Sequence, residues 1–268
     1  MKKLKKQLLT KDLVIGLGEI GGPILKIISK EFTAVGYDID QKLMNTTKYK
    51  KFQNIPTGLA HVCIPFSKIF EKTIIKIEKK YVPQAIVIHS TVRIGTTEAL
   101  QKKLSIPIIY SPIRGVHKRM LKDLKRYAKF YSVFDWAPHS NQARKTFVKK
   151  MNKVGIKTKK MTNPTTLELA KILVDTTYYG WLINYAQITN VIAMKHKVDY
   201  DEMWLFAEEI NKFLGNRPKL FPGFIGGHCV IPNLDLVENK TLDEIKKMND
   251  TYVNKVKNRK SVNRKKMV

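Results

Sequence analysis

The chain has 268 residues, 43% hydrophobic and 27% charged, which excludes a disordered or fibrous protein and is long enough for two domains with real cores. Lys and Arg number 50 against 22 Asp and Glu, a formal charge of +28 that is unusual for a metabolic enzyme of this size. Two widely separated cysteines exclude a disulfide framework and fit a reducing compartment. The basic start, MKKLKKQLLTKDLVIGLG, holds no apolar run long enough for a signal peptide before Lys11 and Asp12. No uncharged apolar stretch reaches the ~18 residues of a membrane span. A cytoplasmic protein with no membrane contact is expected.

In chain order, short β-rich apolar runs alternate with helical patterns through the first half, which predicts a parallel sheet with helices on its faces. Strands are expected at Leu13–Leu17, Phe32–Tyr37, Leu59–Ile64, Ala85–His89, Ile106–Tyr110, Lys129–Phe134 and Ile156–Met161. Helices are expected at Gly21–Lys30, from Thr96 to Leu104 and from Gln142 to Val154. Beyond Thr162-Asn163-Pro164 the texture becomes helical, with one long helix from Thr165 to about His196. Its middle, TTYYGWLINYAQ, is apolar on most sides and calls for burial against something else, most simply a second copy of the chain. Asp199, with Glu202 three residues on, predicts the N-cap of a further helix to about Leu214. A Pro- and Gly-punctuated loop and a polar, basic helix or tail complete the chain. The expected fold class is α/β, a doubly wound Rossmann-type parallel sheet followed by a small all-helical dimerisation segment. Its parts are a basic segment (1–11), a dinucleotide domain (12–162), a long-helix dimerisation region (163–215), a cysteine loop (216–238) and a basic C-terminal helix or tail (239–268).

The charge is uneven. Residues 116–160 carry 14 Lys and Arg against two acids, whereas 163–215 carry seven acids against four bases. One face of the N-terminal half is expected to be electropositive and suited to phosphates, nucleic acid or an acidic partner, although a charge run is more often simply a solvated face.

Three segments carry chemistry. Gly16-Leu17-Gly18-Glu19-Ile20-Gly21 lies between a predicted strand and helix, where a dinucleotide fingerprint has its place. Gly16 permits the turn, Gly18 the approach of a pyrophosphate and Gly21 the helix–strand packing, with the phosphates at the helix N-terminus. Asp38, ending the second strand, has the spacing of the acid that binds ribose hydroxyls, which favours NAD over NADP. The second segment, FPGFIGGHCVIPN, sets Cys229 on a glycine-rich loop, either as a nucleophile or as a small structural residue. His228 reads better as a loop residue than as a ligand, and no second Cys/His cluster supports a metal. In the third, Glu168, Lys171 and Asp175 share a helix face by spacing, either as an ion-pair ladder or with Lys171 stabilising a developing oxyanion.

Together GLGEIGGP, GYDID, AHVCIPFS, HSTVRIGTT, LELAKILVD and FPGFIGGHCVIPN resemble the nucleotide-sugar dehydrogenase family, the UDP-glucose and GDP-mannose 6-dehydrogenases, over roughly residues 12–233. The resemblance implies an NAD-dependent, two-step oxidation of a sugar's primary alcohol to a carboxylate. It makes Cys229 the nucleophile that forms a thiohemiacetal and then a thioester, and Lys171 the oxyanion stabiliser. It also places Pro65, Ser90 and Thr91 by the cofactor and the reacting centre, and makes the long helix a dimer contact. Three positions depart from the family. Asp175 stands where the family has Asn, Asn233 where it has Asp, and Ile113 where it has Glu after Ser-Pro, leaving His117 as a stand-in for proton transfer. Only 39 residues follow Cys229, too few for the family's third, nucleotide-gripping domain.

The expected function is therefore an NAD-dependent oxidoreductase acting on a sugar or a sugar phosphate. The basic patch at Arg114, Lys118 and Arg119 offers a hold for a phosphate. Three other readings compete: a non-catalytic NAD-binding module, a basic scaffold for nucleic acid or an acidic polymer, and a 2-hydroxyacid dehydrogenase of the 6-phosphogluconate type with no use for the cysteine loop.

Overall fold

The computed structural model describes residues 10–216, 218–227 and 229–257. The chain divides into two compact units, Met1–Ala170 and Lys171–Val268.

In the first unit the elements run β1 (Lys11–Ile15), α1 (Gly21–Ile28), β2 (Ala34–Tyr37), α2 (Thr46–Phe52), β3 (Thr57–Val62), α3 (Phe70–Tyr81), β4 (Ala85–Ile88), α4 (Thr96–Gln101) and β5 (Ile108–Tyr110). They continue with α5 (Met120–Arg126), β6 (Lys129–Tyr131), α6 (Ser140–Lys153), β7 (Thr158–Lys160) and α7 (Pro164–Leu169). Five parallel strands pair in the order β2-β1-β3-β4-β5, so the order reverses between β1 and β3. β6 and β7 form a separate parallel pair, tied to β5 by an antiparallel bridge between Tyr110 and Ser132.

Alternation along the strands divides the core into two layers. Val14, Leu59, Val87 and Ile109 face α1, α5 and α6, whose Ile24, Ile27, Leu124, Phe147 and Met151 are buried there. Leu13, Ile15, Val62, Ile86 and Ile88 face α3, α4 and α7, with Phe70, Ile74, Leu100 and Leu167 beneath them. At about 1.5–3 kcal/mol for each large side chain removed from water, these layers dominate the stability of the unit.

Most strands are shorter than predicted, and β1 begins two residues early. Lys11 and Asp12 enter the sheet because their charges find partners inside it. Lys11 Nζ donates to the carbonyls of Gln53 and Ile55. Asp12 Oδ1 accepts from the Leu59 amide at 3.0 Å and from Lys150 Nζ at 2.6 Å. The amphipathic α3, with Phe70, Ile74 and Ile77 buried on one side, was not among the expected helices, nor were α2 and α5.

The second unit begins inside the predicted long helix. The helix begins at Pro164, one residue before the expected start, with Pro164 in its first turn and Asn163 capping the Thr166 amide. From Ala170 to Thr177, however, the helix is π-helical, and α8 (Tyr178–His196) follows. Thr176 Oγ1 donates to the Lys171 carbonyl at 2.7 Å and Thr177 Oγ1 to that of Leu173 at 2.9 Å, so hydroxyls take up carbonyls in the widened turn. α9 (Tyr200–Leu214) has its predicted cap, with Asp199 Oδ1 accepting from the Glu202 amide at 2.7 Å. α10 (Val230–Leu234) and α11 (Lys240–Lys257) pack with α8 around Ile183, Ile225, Val230, Leu234 and Ile245. Among the described residues no helix is long and apolar enough to cross a membrane.

Candidate functional site

The carboxyl ends of β1, β3, β4 and β5 open on the crevice that a reversal of strand order creates, the usual ligand position in such sheets. Each strand delivers a short loop there: Gly16–Ile20 from β1, Cys63–Pro65 from β3, His89–Thr91 from β4 and Ser111–Pro112 from β5. The loops are tied together. Gly16 N donates to Tyr37 O, Cys63 N to Ile15 O, and Ser90 Oγ to Ile64 O.

The three fingerprint glycines meet three different demands. Gly16 has φ +84°, and a Cβ there would lie 2.9 Å from Ile64 Cγ2 and 3.0 Å from the Cys63 carbonyl. A Cβ on Gly21 would lie 1.7 Å from the Gly16 oxygen, so only glycine lets α1 start against the end of β1. A Cβ on Gly18 would meet nothing within 4 Å, so the backbone there is open to a ligand. α1 has no side-chain cap at Ile20 and no acid in its first turn, which leaves its N-terminal dipole for an anion. Asp38, half-buried at the end of β2, accepts from the Leu17 amide at 2.5 Å and the Asp40 amide at 2.9 Å. Its carboxylate thus lies beside the glycine loop, with lone pairs left for ribose hydroxyls. These residues fit a dinucleotide. Ser90 is buried, Thr91 half-buried, and Glu19 and Pro65 are exposed on the same rim.

The expectations for the β5 loop are corrected in part. Arg114 Nη2 donates to the Ala128 carbonyl at 2.9 Å, and its guanidinium lies 4.9 Å from the Phe130 ring centroid and 5.5 Å from that of Tyr127. Arg119 pairs with the buried Asp123 at 2.9 Å. Two members of the expected phosphate-holding patch are therefore committed within the protein, and Lys118 is exposed. Ile113 is buried in the core. The side chain of His117, like His228, lies outside the described residues.

Glu168, expected on one helix face with Lys171 and Asp175, has its hydrogen bonds within the first unit. Its fully buried carboxylate accepts from the Gly95 amide at 2.7 Å, the Thr97 amide at 2.9 Å and Thr97 Oγ1 at 2.6 Å. It thereby caps α4 from α7, supplying what Gly95, the N-cap residue, cannot. Burial pushes its carboxyl above the ordinary range, and these donors pull it back. Part of the HSTVRIGTT segment is thus a structural clasp.

In the second unit Lys171 Nζ is paired with Asp175 Oδ2 within the π-helix, a local geometry frequent at functional sites. The Lys171 side chain is 12% exposed and that of Asp175 is 36% exposed. An ammonium with one proton committed to Asp175 keeps two for another acceptor. Cys229 is exposed at the start of α10, and Asn233 is buried one turn later. Among the described residues no cluster of three His, Cys, Asp or Glu suits a metal ion.

No protein-family model matches the sequence, and no curated protein matches it. Solved structures do. UDP-D-ManNAc dehydrogenase from Pyrococcus horikoshii superposes with a TM-score of 0.75 at 19% identity, over 93% of this chain and 70% of that one. The fold is that of the nucleotide-sugar dehydrogenases. NDP-N-acetyl-D-galactosaminuronic acid dehydrogenase from Methanosarcina mazei gives 0.68 at 17% identity, over 96% of this chain and 70% of that one. The 3-hydroxyisobutyrate dehydrogenase of Mycobacterium tuberculosis gives 0.65 at 12% identity, over 93% of this chain and 94% of that one.

The residues that the sequence did not single out are His61, His89 and Lys129 behind the crevice, and Asn184, Gln187 and Asn249 in the second unit, all buried. A histidine inside an otherwise apolar strand, as in GLAHV, was the one available signal.

Proposed function

We propose that the protein is an NAD-dependent oxidoreductase that oxidises the primary alcohol of a sugar-type substrate. The observation that carries the reading is the glycine loop, in which Gly16 and Gly21 are fixed by sterics while Gly18 is open and Asp38 stands beside it. The amides at the start of α1 hold the pyrophosphate, and the Asp38 carboxylate binds the ribose hydroxyls and repels a 2′-phosphate. A bound NAD supplies a two-electron hydride acceptor. Lys171 directs its remaining ammonium protons to the alkoxide oxygen, and pairing with Asp175 keeps that cation in place without leaving an unbalanced carboxylate nearby. Cys229 offers an exposed thiol for addition to an aldehyde carbon.

A second reading has its own support. The 3-hydroxyisobutyrate dehydrogenase of Mycobacterium tuberculosis has the same fold over 94% of its length, which suggests a single oxidation of a small hydroxyacid with no role for Cys229. The test is NADH formed per substrate consumed, over a panel of nucleotide sugars, sugar phosphates and hydroxyacids. Two per substrate, abolished by Cys229→Ser, is the expected result. One per substrate, indifferent to Cys229→Ser, would establish the second reading.

The working form is proposed to be a homodimer. No residue of α9 is buried, and Phe206 and Phe213 are each 81% exposed, while Tyr185, Ile188 and Ile192 of α8 are also exposed. Only a partner of like apolar character covers such surface, and a second copy supplies it.

A further inference from the structure

The loop that carries Cys229 is an arch with two buried feet. One foot is Ile225, 3% exposed, and the other is Val230, 6% exposed. Val230 is seated against α8 so closely that a Cβ on Gly180 would fall 2.8 Å from its Cγ1. Between the feet Gly227 has φ +77° with nothing within 4 Å of a Cβ position, and Cys229 is exposed.

The first foot is held by a side-chain amide, not by apolar packing alone. Asn249 of α11, 2% exposed, accepts from the Ile225 amide at Oδ1 (2.8 Å) and donates from Nδ2 to the Ile225 carbonyl (3.3 Å). It therefore reads both backbone groups of one residue, as a neighbouring strand would. Gln187 of α8 donates from Nε2 to the Gly223 carbonyl at 2.7 Å and to Asn249 Oδ1 at 3.1 Å. Asn184 Nδ2 in turn donates to Gln187 Oε1 at 2.8 Å. The orientations are forced, because the Ile225 and Gly223 carbonyls can only accept and the Ile225 amide can only donate. Apolar contacts tolerate sliding, whereas a buried amide network loses its bonds when the loop shifts, so it fixes one register.

We propose that Asn249 is the positioning residue of the Cys229 arch, setting the conformation in which the thiol is presented. The proposal deepens, and rests on, the reading of Cys229 as the nucleophile. It gives α11 a role in the site through the backbone of Ile225.

The test uses the full chain with two variants, Asn249→Leu and Asn249→Asp, each checked for an unchanged circular dichroism spectrum. Two rates are followed, hydrogen exchange at the Ile225 amide and alkylation of Cys229 by iodoacetamide, the latter read by peptide mapping. In Asn249→Leu, exchange at Ile225 is expected to rise at least about tenfold and alkylation about fivefold as the arch opens. Asn249→Asp keeps the shape and the acceptor, but at about pH 8 it sets a carboxylate oxygen against the Ile225 carbonyl. Near pH 4 the protonated acid again donates there, so exchange at Ile225, relative to wild type at the same pH, is expected to return toward one, alkylation being read at about pH 8 alone because it needs the thiolate. Unchanged rates in both variants would overturn the proposal, as would an Asn249→Asp protein whose Ile225 exchange stays altered at both pH values. Full turnover by Cys229→Ser would instead sink the nucleophile reading, with the exchange and alkylation rates still judging the clamp.

Discussion

Two histidines buried behind the crevice make the stability of the first unit depend on pH in a calculable way. His61 of β3 is wholly buried, with its Nδ1 2.9 Å from His89 Nε2, and His89 Nδ1 lies 2.9 Å from the Ser111 carbonyl. That carbonyl only accepts, so His89 carries its proton on Nδ1, its Nε2 accepts from His61, and both rings are neutral. His61 Nε2 has no partner among the described residues. Burial pushes His61 down to about 4, with Lys150 and Lys129 acting in the same direction against the opposing pull of Asp12. His89 is lowered as well, by burial first and then by Lys129 and His61. In the unfolded chain each histidine takes a proton near pH 6.5, while the folded chain leaves His61 neutral until about 4. Between those values the unfolded state binds more protons, so stability is complete above pH 6.5 and is lost as pH falls. For His61 alone the difference amounts to roughly 3 kcal/mol at 1.36 kcal/mol per unit, and His89 adds to it. The perturbation is His61→Gln, which keeps a donor toward His89 and removes the titration. The assay is urea unfolding between about pH 7.5 and about pH 4.5, followed through Trp136 with Trp181 and Trp204 replaced by Phe. Wild type should lose about 2–3 kcal/mol more than His61→Gln over that interval, since titrations not coupled to His61 cancel in the comparison. Parallel pH profiles would refute the reasoning.

Other outcomes follow from single contacts. Gly21→Ala forces a methyl into the Gly16 oxygen, and calorimetry should find dinucleotide affinity reduced at least about 100-fold with the far-ultraviolet spectrum retained. Glu168→Gln leaves one of the donors from Gly95 and Thr97 facing an amide nitrogen, and thermal or urea unfolding should show a loss of about 2 kcal/mol. Phe206→Asp should convert a sedimenting dimer into a monomer, whereas a wild-type monomer at working concentration would remove the case for self-association.

The strands were legible because a parallel strand buried on both faces is a short apolar run, as in LVI, AIVI and IIY. Their ends were not, because Lys11 and Asp12 read as surface until Gln53, Ile55 and Lys150 are brought to them. The turn at Gly16 and the close packing at Gly21 were legible, since these glycines answer to local sterics. The partners of Glu168 were not legible, because spacing along one helix says nothing of Gly95 and Thr97, more than seventy residues away in sequence. The π-helix left only a faint trace in Thr176 and Thr177. Asn184, Gln187 and Asn249 were invisible, since amides on a helix look solvated until another helix covers them.

The ion pair between Asp12 and Lys150 bears on synthesis as well as on stability. The acid sits on β1, an interior strand of the sheet, with 0% exposure, and its base is supplied 138 residues later. A buried carboxylate without its cation costs several kcal/mol. A nascent chain arrested before α6 therefore holds all five strands of the main sheet but lacks the cation that pairs with Asp12 on β1. Folding of this unit during synthesis is accordingly expected to complete only after Lys150 has emerged, and ribosome-bound chains arrested before and after α6 should differ in their resistance to protease.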